Sequence, residues 1–163
     1  HQRQLVVQSP RTGLFEITQS VAEVVSQSLL SRGLCHLFLQ HTSASLLIQE
    51  NADPSAKADL EAFFERLLAD YSSHFTHTAE GPDDMPSHIK ATLTQTSLTI
   101  PIFDQQLALG TWQGIYLWGI ACKLHLDDVG FNFCLGPVGG GGVAGRLRIG
   151  PIRALLAPCQ RGA

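Results

Sequence analysis

The stretch from Leu34 to Tyr71 constrains the fold more than any other part of the chain. Leu34 to Gln40 and Ser43 to Gln49 are apolar segments of strand length, each bounded by polar residues. Asp53-Pro54 then offers a helix N-cap followed by proline at the first helical position, where its missing N–H costs nothing. Leu60, Phe63, Phe64, Leu67, Leu68 and Tyr71 recur at i, i+3, i+4, i+7, i+8 and i+11, the period of an amphipathic helix. A strand pair flanked by polar clusters and followed by a long helix is the expectation.

The remaining elements are shorter. Leu5-Val6-Val7 and Leu14-Phe15-Glu16-Ile17 read as two strands joined through Ser9-Pro10-Arg11-Thr12-Gly13, an opening hairpin. Ile17, Val21, Val24, Val25 and Leu29 predict a first helix reaching about Leu30, with Ser20-x-x-Glu23 as its capping box and Ser31-Arg32-Gly33 as its end. A further helix is expected from Met85 to Gln95, with Asp84 as its cap. Leu98 to Ile102, Leu107 to Leu109 and Gly114 to Trp118 read as strands, with a hairpin at Phe103-Asp104-Gln105-Gln106. Ten of the 15 glycines fall in residues 119–163, so that tail is expected to be mostly loop. Its Gly139-Gly140-Gly141-Gly142 lacks the lysine and the strand-to-helix frame of a phosphate loop.

At 163 residues, 44% hydrophobic and 15% charged, the composition fits one domain able to bury a core without disulfides. Residues 1–118 hold 6 Lys and Arg against 12 Asp and Glu, and residues 119–163 hold 5 against 2. An acidic body with scattered cations argues against a nucleic-acid or anionic-membrane partner. Cys35, Cys122, Cys134 and Cys159 lack C-x-x-C spacing and read as free thiols, Cys35 as a core residue. No basic segment leads into an apolar one, and no apolar run approaches the roughly 20 residues of a membrane span, so a cytoplasmic protein is expected.

Three polar clusters carry the chemistry. They are Gln40-His41-Thr42-Ser43-Ala44-Ser45, Gln49-Glu50-Asn51-Ala52-Asp53-Pro54, and the run from His77 through Glu80-Gly81-Pro82-Asp83-Asp84-Met85-Pro86 to His88. Imidazole binds divalent metals, shuttles protons near neutral pH and donates to phosphate, so convergence of His41, His77 and His88 would make a site in any of these modes. None has a diagnostic spacing, and each also fits a hydrogen-bonded structural histidine. Asp53 has a ready role as a helix cap, whereas Glu80 is the carboxylate least explained by local structure. Thr42 and Ser43 either orient an anion or simply end one strand and begin the next.

The same segments, together with Leu109-Gly110-Thr111-Trp112-Gln113-Gly114-Ile115, resemble the YjbQ family, the secondary thiamine-phosphate synthase family, throughout residues 1–118. The resemblance implies an α+β domain, a two-sheet β-sandwich with flanking helices, assembled as a homotrimer. It also implies a transferase activity that joins a pyrimidine methyl diphosphate to a thiazole phosphate. Under that reading His41, Asp53, His77, Glu80 and His88 form the catalytic set. Thr42, Ser43, Asn51, Lys90, Trp112 and Gln113 then bind the phosphorylated substrate, and His41, His77 and His88 hold a divalent metal. The alternative is a non-catalytic homotrimeric module that binds a phosphorylated metabolite or a metal. After Trp118 the chain departs from the family pattern, which implies an alternative C-terminus and an unpaired sheet edge.

Overall fold

The computed structural model describes residues 2–7, 11–119 and 129–136. Eight strands and three helices follow in the order β1 (Gln2–Val7), β2 (Gly13–Glu16), α1 (Thr18–Gln27), β3 (Arg32–Leu39), β4 (Ser45–Glu50), α2 (Pro54–Ala69), α3 (Asp84–Leu93), β5 (Ser97–Phe103), β6 (Gln106–Leu107), β7 (Gln113–Gly119) and β8 (Val129–Gly136). They form a five-stranded sheet, ordered β1-β8-β3-β5-β6, and a three-stranded sheet, ordered β2-β7-β4, with antiparallel pairing throughout. This is the α+β, two-sheet architecture with helices that the resemblance implied.

The core lies between the sheets. Along β3, burial alternates strictly, and Cys35, Leu37 and Leu39 face inward with Leu98, Ile100 and Ile102 of β5. Leu46 of β4 and Ile115 and Leu117 of β7 meet them from the other sheet, while α1 inserts the fully buried Val21 and Val25. This is the period-2 and period-3.6 patterning that lets sheet faces and a helix stripe share one apolar interior. A second, smaller cluster on the other face of the three-stranded sheet joins Leu14, Tyr116 and Trp118 to Leu60 and Phe64 of α2.

Several expectations are corrected at this level. β3 and β4 do not pair with each other: the chain passes from one sheet to the other at residues 40–44, and β4 pairs with β7. Nor is there an opening hairpin, since β1 pairs with β8 and β2 with β7. In both cases strands that follow one another in the chain lie in different sheets. α1 begins at Thr18, before the Ser20-x-x-Glu23 box, and its N-cap residue Ile17 makes no side-chain capping bond. The hairpin at Phe103 to Gln106 is present, and Asp104 and Gln105 take left-handed backbone conformations (φ 49° and 63°), as a tight two-residue turn between twisted strands requires.

The tail reading also changes. Residues 129–136, expected as loop, form β8 between β1 and β3, so neither neighbouring edge is left unpaired there. Phe131, Phe133 and Leu135 alternate with Asn132 and Cys134, a strand period that the surrounding glycines obscured. The other positions of the tail beyond Gly119, including the glycine run, lie outside the described residues.

Candidate functional site

The first turn of α3 and the crossing segment before β4 build the principal polar cluster. Gly81, with φ 110°, and the bond from its N–H to the Thr78 carbonyl (3.2 Å) fold residues 78–81 into a turn. That turn returns Glu80 toward His77, and α3 starts three residues later. Asp84 and His88, four apart on α3, share a face and sit next to each other. His77 Nε2 lies 2.9 Å and His88 Nε2 3.0 Å from the same oxygen, Asp84 Oδ2, and Glu80 Oε2 is 3.6 Å from His77 Nε2. One donor atom from each of these four residues lies within 4.8 Å of all the others.

The crossing segment supports this cluster from below. Ser43 Oγ donates to Asp84 Oδ1 at 2.9 Å, and the Thr42 carbonyl lies 3.1 Å from His88 Nδ1. A carbonyl only accepts, so Nδ1 of His88 carries a proton, and its Nε2 is turned toward Asp84. Burial disfavours ionisation of Asp84, but the hydrogen bonds from Ser43 and His77 and the field of His88 outweigh it and hold the carboxyl below its ordinary value.

Asp84 is the residue that sequence reasoning misplaced. It was expected to cap the helix; it is instead the first residue of α3, and its two oxygens serve Ser43 and the imidazoles. The Asp84-x-x-x-His88 spacing was the available signal, because two ligand-type side chains one helical turn apart face the same way.

The other candidates separate into distinct places. His41 accepts a bond at Nδ1 from the Ser43 N–H (2.9 Å) and, with Phe38, Gln40 and Thr96, lines a shallow groove of about 440 Å³ beside Thr42; it is not one of the four clustered ligands. Lys90, 4% exposed, turns inward, its Nζ 5.1 Å from the centre of the Trp118 ring. Burial lowers its pKa, against the opposing pull of Glu65, Asp83 and Glu61. Asn51, Asp53, Trp112 and Gln113 lie at the far end of β4, about 17 Å along the strand from Ser45 at the usual rise. There Asn51 Nδ2 donates to Glu16 Oε1 (3.1 Å), Asp53 Oδ1 caps α2 by accepting from the Ser55 N–H (2.8 Å), and Gln113 Oε1 accepts from the Gly110 N–H (2.8 Å). Trp112 is largely exposed. Within one chain, then, His77, Glu80 and His88 come together with Thr42 and Ser43, and the second group does not join them.

An α+β sandwich with an imidazole and carboxylate cluster between a sheet crossing and a helix start defines the class to which this chain is to be compared. Residues 3–123 match the family described as UPF0047 protein YjbQ-like, and the chain belongs to that family. It is 47% identical to the UPF0047 protein sll1880 of Synechocystis over 79% of this chain and 88% of that protein. It is 41% identical to the UPF0047 protein YjbQ of Escherichia coli O157:H7, over 72% and 85% of the two chains. The crystal structure of an uncharacterized conserved protein of the YjbQ/UPF0047 family from Clostridium acetobutylicum is 28% identical, with a TM-score of 0.67 over 83% of this chain and 98% of that one. The structure of a YbjQ-like protein of unknown function from Sulfolobus solfataricus, 22% identical with a TM-score of 0.71 over 83% and 96%, shares the fold.

These comparisons correct the expected activity. The relatives are described as UPF0047 proteins, uncharacterized or of unknown function, and none brings a thiamine phosphate synthase activity to this chain. Among the described residues no helix is long and apolar enough to cross a membrane.

Proposed function

We propose that the protein binds one divalent transition-metal ion per chain through His77, Glu80, Asp84 and His88. The observation that carries this reading is the pairing of His88 Nε2 with Asp84 Oδ2 at 3.0 Å while Nδ1 of the same ring donates to the Thr42 carbonyl. With Nδ1 donating to the carbonyl, Nε2 is left facing a carboxylate oxygen at hydrogen-bond distance, a position that holds a proton in the ion-free protein and that a metal ion can take in its place. His77 Nε2 at 2.9 Å on the other side of the same oxygen, with Glu80 beyond it, makes a donor set suited to a larger cation.

The spacings support the same reading. Metal–ligand bonds of about 2.0–2.2 Å place neighbouring ligand atoms roughly 3.0–3.5 Å apart, close to the separations seen here. Two imidazoles with carboxylates favour zinc and its first-row neighbours over calcium or magnesium, which prefer all-oxygen shells. Such an ion, when bound, supplies Lewis acidity to a water or an oxygen-bearing ligand in its open positions. Partial exposure of His77 and Glu80 leaves that side approachable. Metal content of the purified protein, and zinc titration into chelator-treated wild type, His77→Ala and His88→Ala, test the reading. One ion per chain, lost in both variants, is expected; a wild type without affinity for any of these ions overturns it.

We also infer self-association, as the homotrimer expected by resemblance, through the outer face of the five-stranded sheet. There Leu34 and Phe38 of β3 and Phe103 of β5 lie on one face and are exposed. Light scattering reporting a trimer that Phe38→Glu dissociates supports this; a monomeric wild type at tens of micromolar contradicts it.

A further inference from the structure

Resting on the metal reading above, we propose that Ser43 and Thr42 are positioning residues of the metal site, and that Ser43 sets its ion preference by holding Asp84 to one coordinating oxygen. The two oxygens of Asp84 have separate duties. Oδ1 accepts from Ser43 Oγ at 2.9 Å, while Oδ2 faces both imidazoles at 2.9 and 3.0 Å. A carboxylate whose first oxygen is committed to a buried hydroxyl presents the other to an ion as a single ligand.

Ser43 can hold this position because it is itself fixed. It is 4% exposed, and its N–H donates to His41 Nδ1 at 2.9 Å. Its oxygen also lies 3.5 Å from His88 Nδ1, beside the 3.1 Å bond from that nitrogen to the Thr42 carbonyl. Two consecutive residues of the sheet-crossing segment therefore orient one carboxylate and one imidazole of the cluster. This also assigns them a role other than contact with a substrate. A single-oxygen carboxylate with two imidazoles suits four-coordinate zinc; a carboxylate free to offer both oxygens suits calcium or manganese, which favour oxygen-rich shells.

The experiment compares zinc and manganese affinities of the full chain, by competition with a chromophoric chelator, for wild type, Ser43→Ala and Ser43→Thr. Loss of the hydroxyl is expected to weaken zinc binding about 10-fold to 100-fold, the usual effect of removing an outer-shell partner. It is also expected to narrow the preference for zinc over manganese, and Ser43→Thr should restore both. A Ser43→Ala protein with unchanged zinc affinity and ion preference overturns this proposal alone. A wild type that takes up neither ion overturns the metal reading and this proposal with it. If Ser43→Ala does not fold, ¹⁵N NMR of the zinc-loaded wild type decides: His88 with Nδ1 protonated and Nε2 on the metal supports the orienting role, and metallation through Nδ1 refutes it.

Discussion

Ser43 and Asp84 are 41 residues apart in sequence, yet the serine hydroxyl donates to Asp84 Oδ1 at 2.9 Å and ties the sheet crossing to the first turn of α3. Through this bond the fold's two-sheet topology becomes a statement about the site. β4 begins in the three-stranded sheet because the chain leaves β3 at Leu39, and the crossing residues pass directly under α3.

The first prediction concerns Asp84 in chelator-treated protein. Its folded pKa lies below the ordinary 3.8, so on acidification the unfolded chain takes up this proton first. The contribution of the ionised carboxylate to stability is full above about pH 4 and is lost as pH falls through the lower folded value. Asp84→Asn should therefore be less stable than wild type at pH 7 by about 1.5–3 kcal/mol, the scale for hydrogen bonds to a charged group. The gap should shrink below pH 4. Urea denaturation at pH 7 and pH 3 measures both, and a gap that widens on acidification contradicts the assignment.

Lys90 shows the opposite linkage. Burial lowers the folded pKa beneath 10.5, so between the folded and unfolded values the unfolded chain binds more protons and stability rises with pH. Lys90→Met should abolish that rise. At pH 7 it should be no less stable than wild type, because an apolar side chain replaces a desolvated ammonium that faces the Trp118 ring. Unfolding midpoints from pH 7 to pH 10 check this, and a loss above about 2 kcal/mol would show that the ammonium is net stabilising.

Asp53 separates a structural carboxylate from those proposed to bind metal. As the cap of α2, accepting from the Ser55 N–H, it should destabilise the helix start when changed to alanine, read as a lower unfolding midpoint. Zinc affinity of the folded Asp53→Ala protein should equal that of wild type. An Asp53→Ala protein that loses metal would bring the far end of β4 into the site.

The layering predicts unequal effects of two large apolar residues. Leu117, fully buried between the sheets, should cost about 2–5 kcal/mol as Leu117→Ala. Phe63, half exposed on α2, should stay within about 0.5 kcal/mol. Thermal denaturation of both variants tests where the core ends. The same interior pushes the Cys35 thiol up to about 12, so it should resist alkylation at pH 8 until the protein unfolds.

Local signals in the sequence located most elements. The cap and proline at Asp53-Pro54 place the start of α2, short apolar runs place β3 and β7, and apolar alternation places β5, because these depend on neighbours within a few residues. Pairing was not legible: β3 and β4 are adjacent in the chain and yet belong to different sheets, a choice made by burial of both faces against distant segments. The stripe on α2 was also broader than the face it buries, since Phe63, Leu67 and Tyr71 stay exposed while Leu68 is buried. At the candidate site, the gathering of ligand-type groups around His77, Glu80 and His88 could be read from the sequence. Asp84 was masked, because an aspartate before a helix has a sufficient local explanation as a cap; its place one helical turn before His88 was the local signal, and the approach of Ser43 from 41 residues away adds what its Oδ1 does.

The most direct test of the account is an anomalous-scattering map of the zinc-loaded wild-type protein, recorded on both sides of the zinc absorption edge. The account predicts one peak per chain, about 2.0–2.2 Å from His77 Nε2, His88 Nε2 and Asp84 Oδ2, with Ser43 Oγ still on Asp84 Oδ1. A protein loaded to one equivalent that shows no peak among His77, Glu80, Asp84 and His88, or holds its zinc elsewhere, would contradict it.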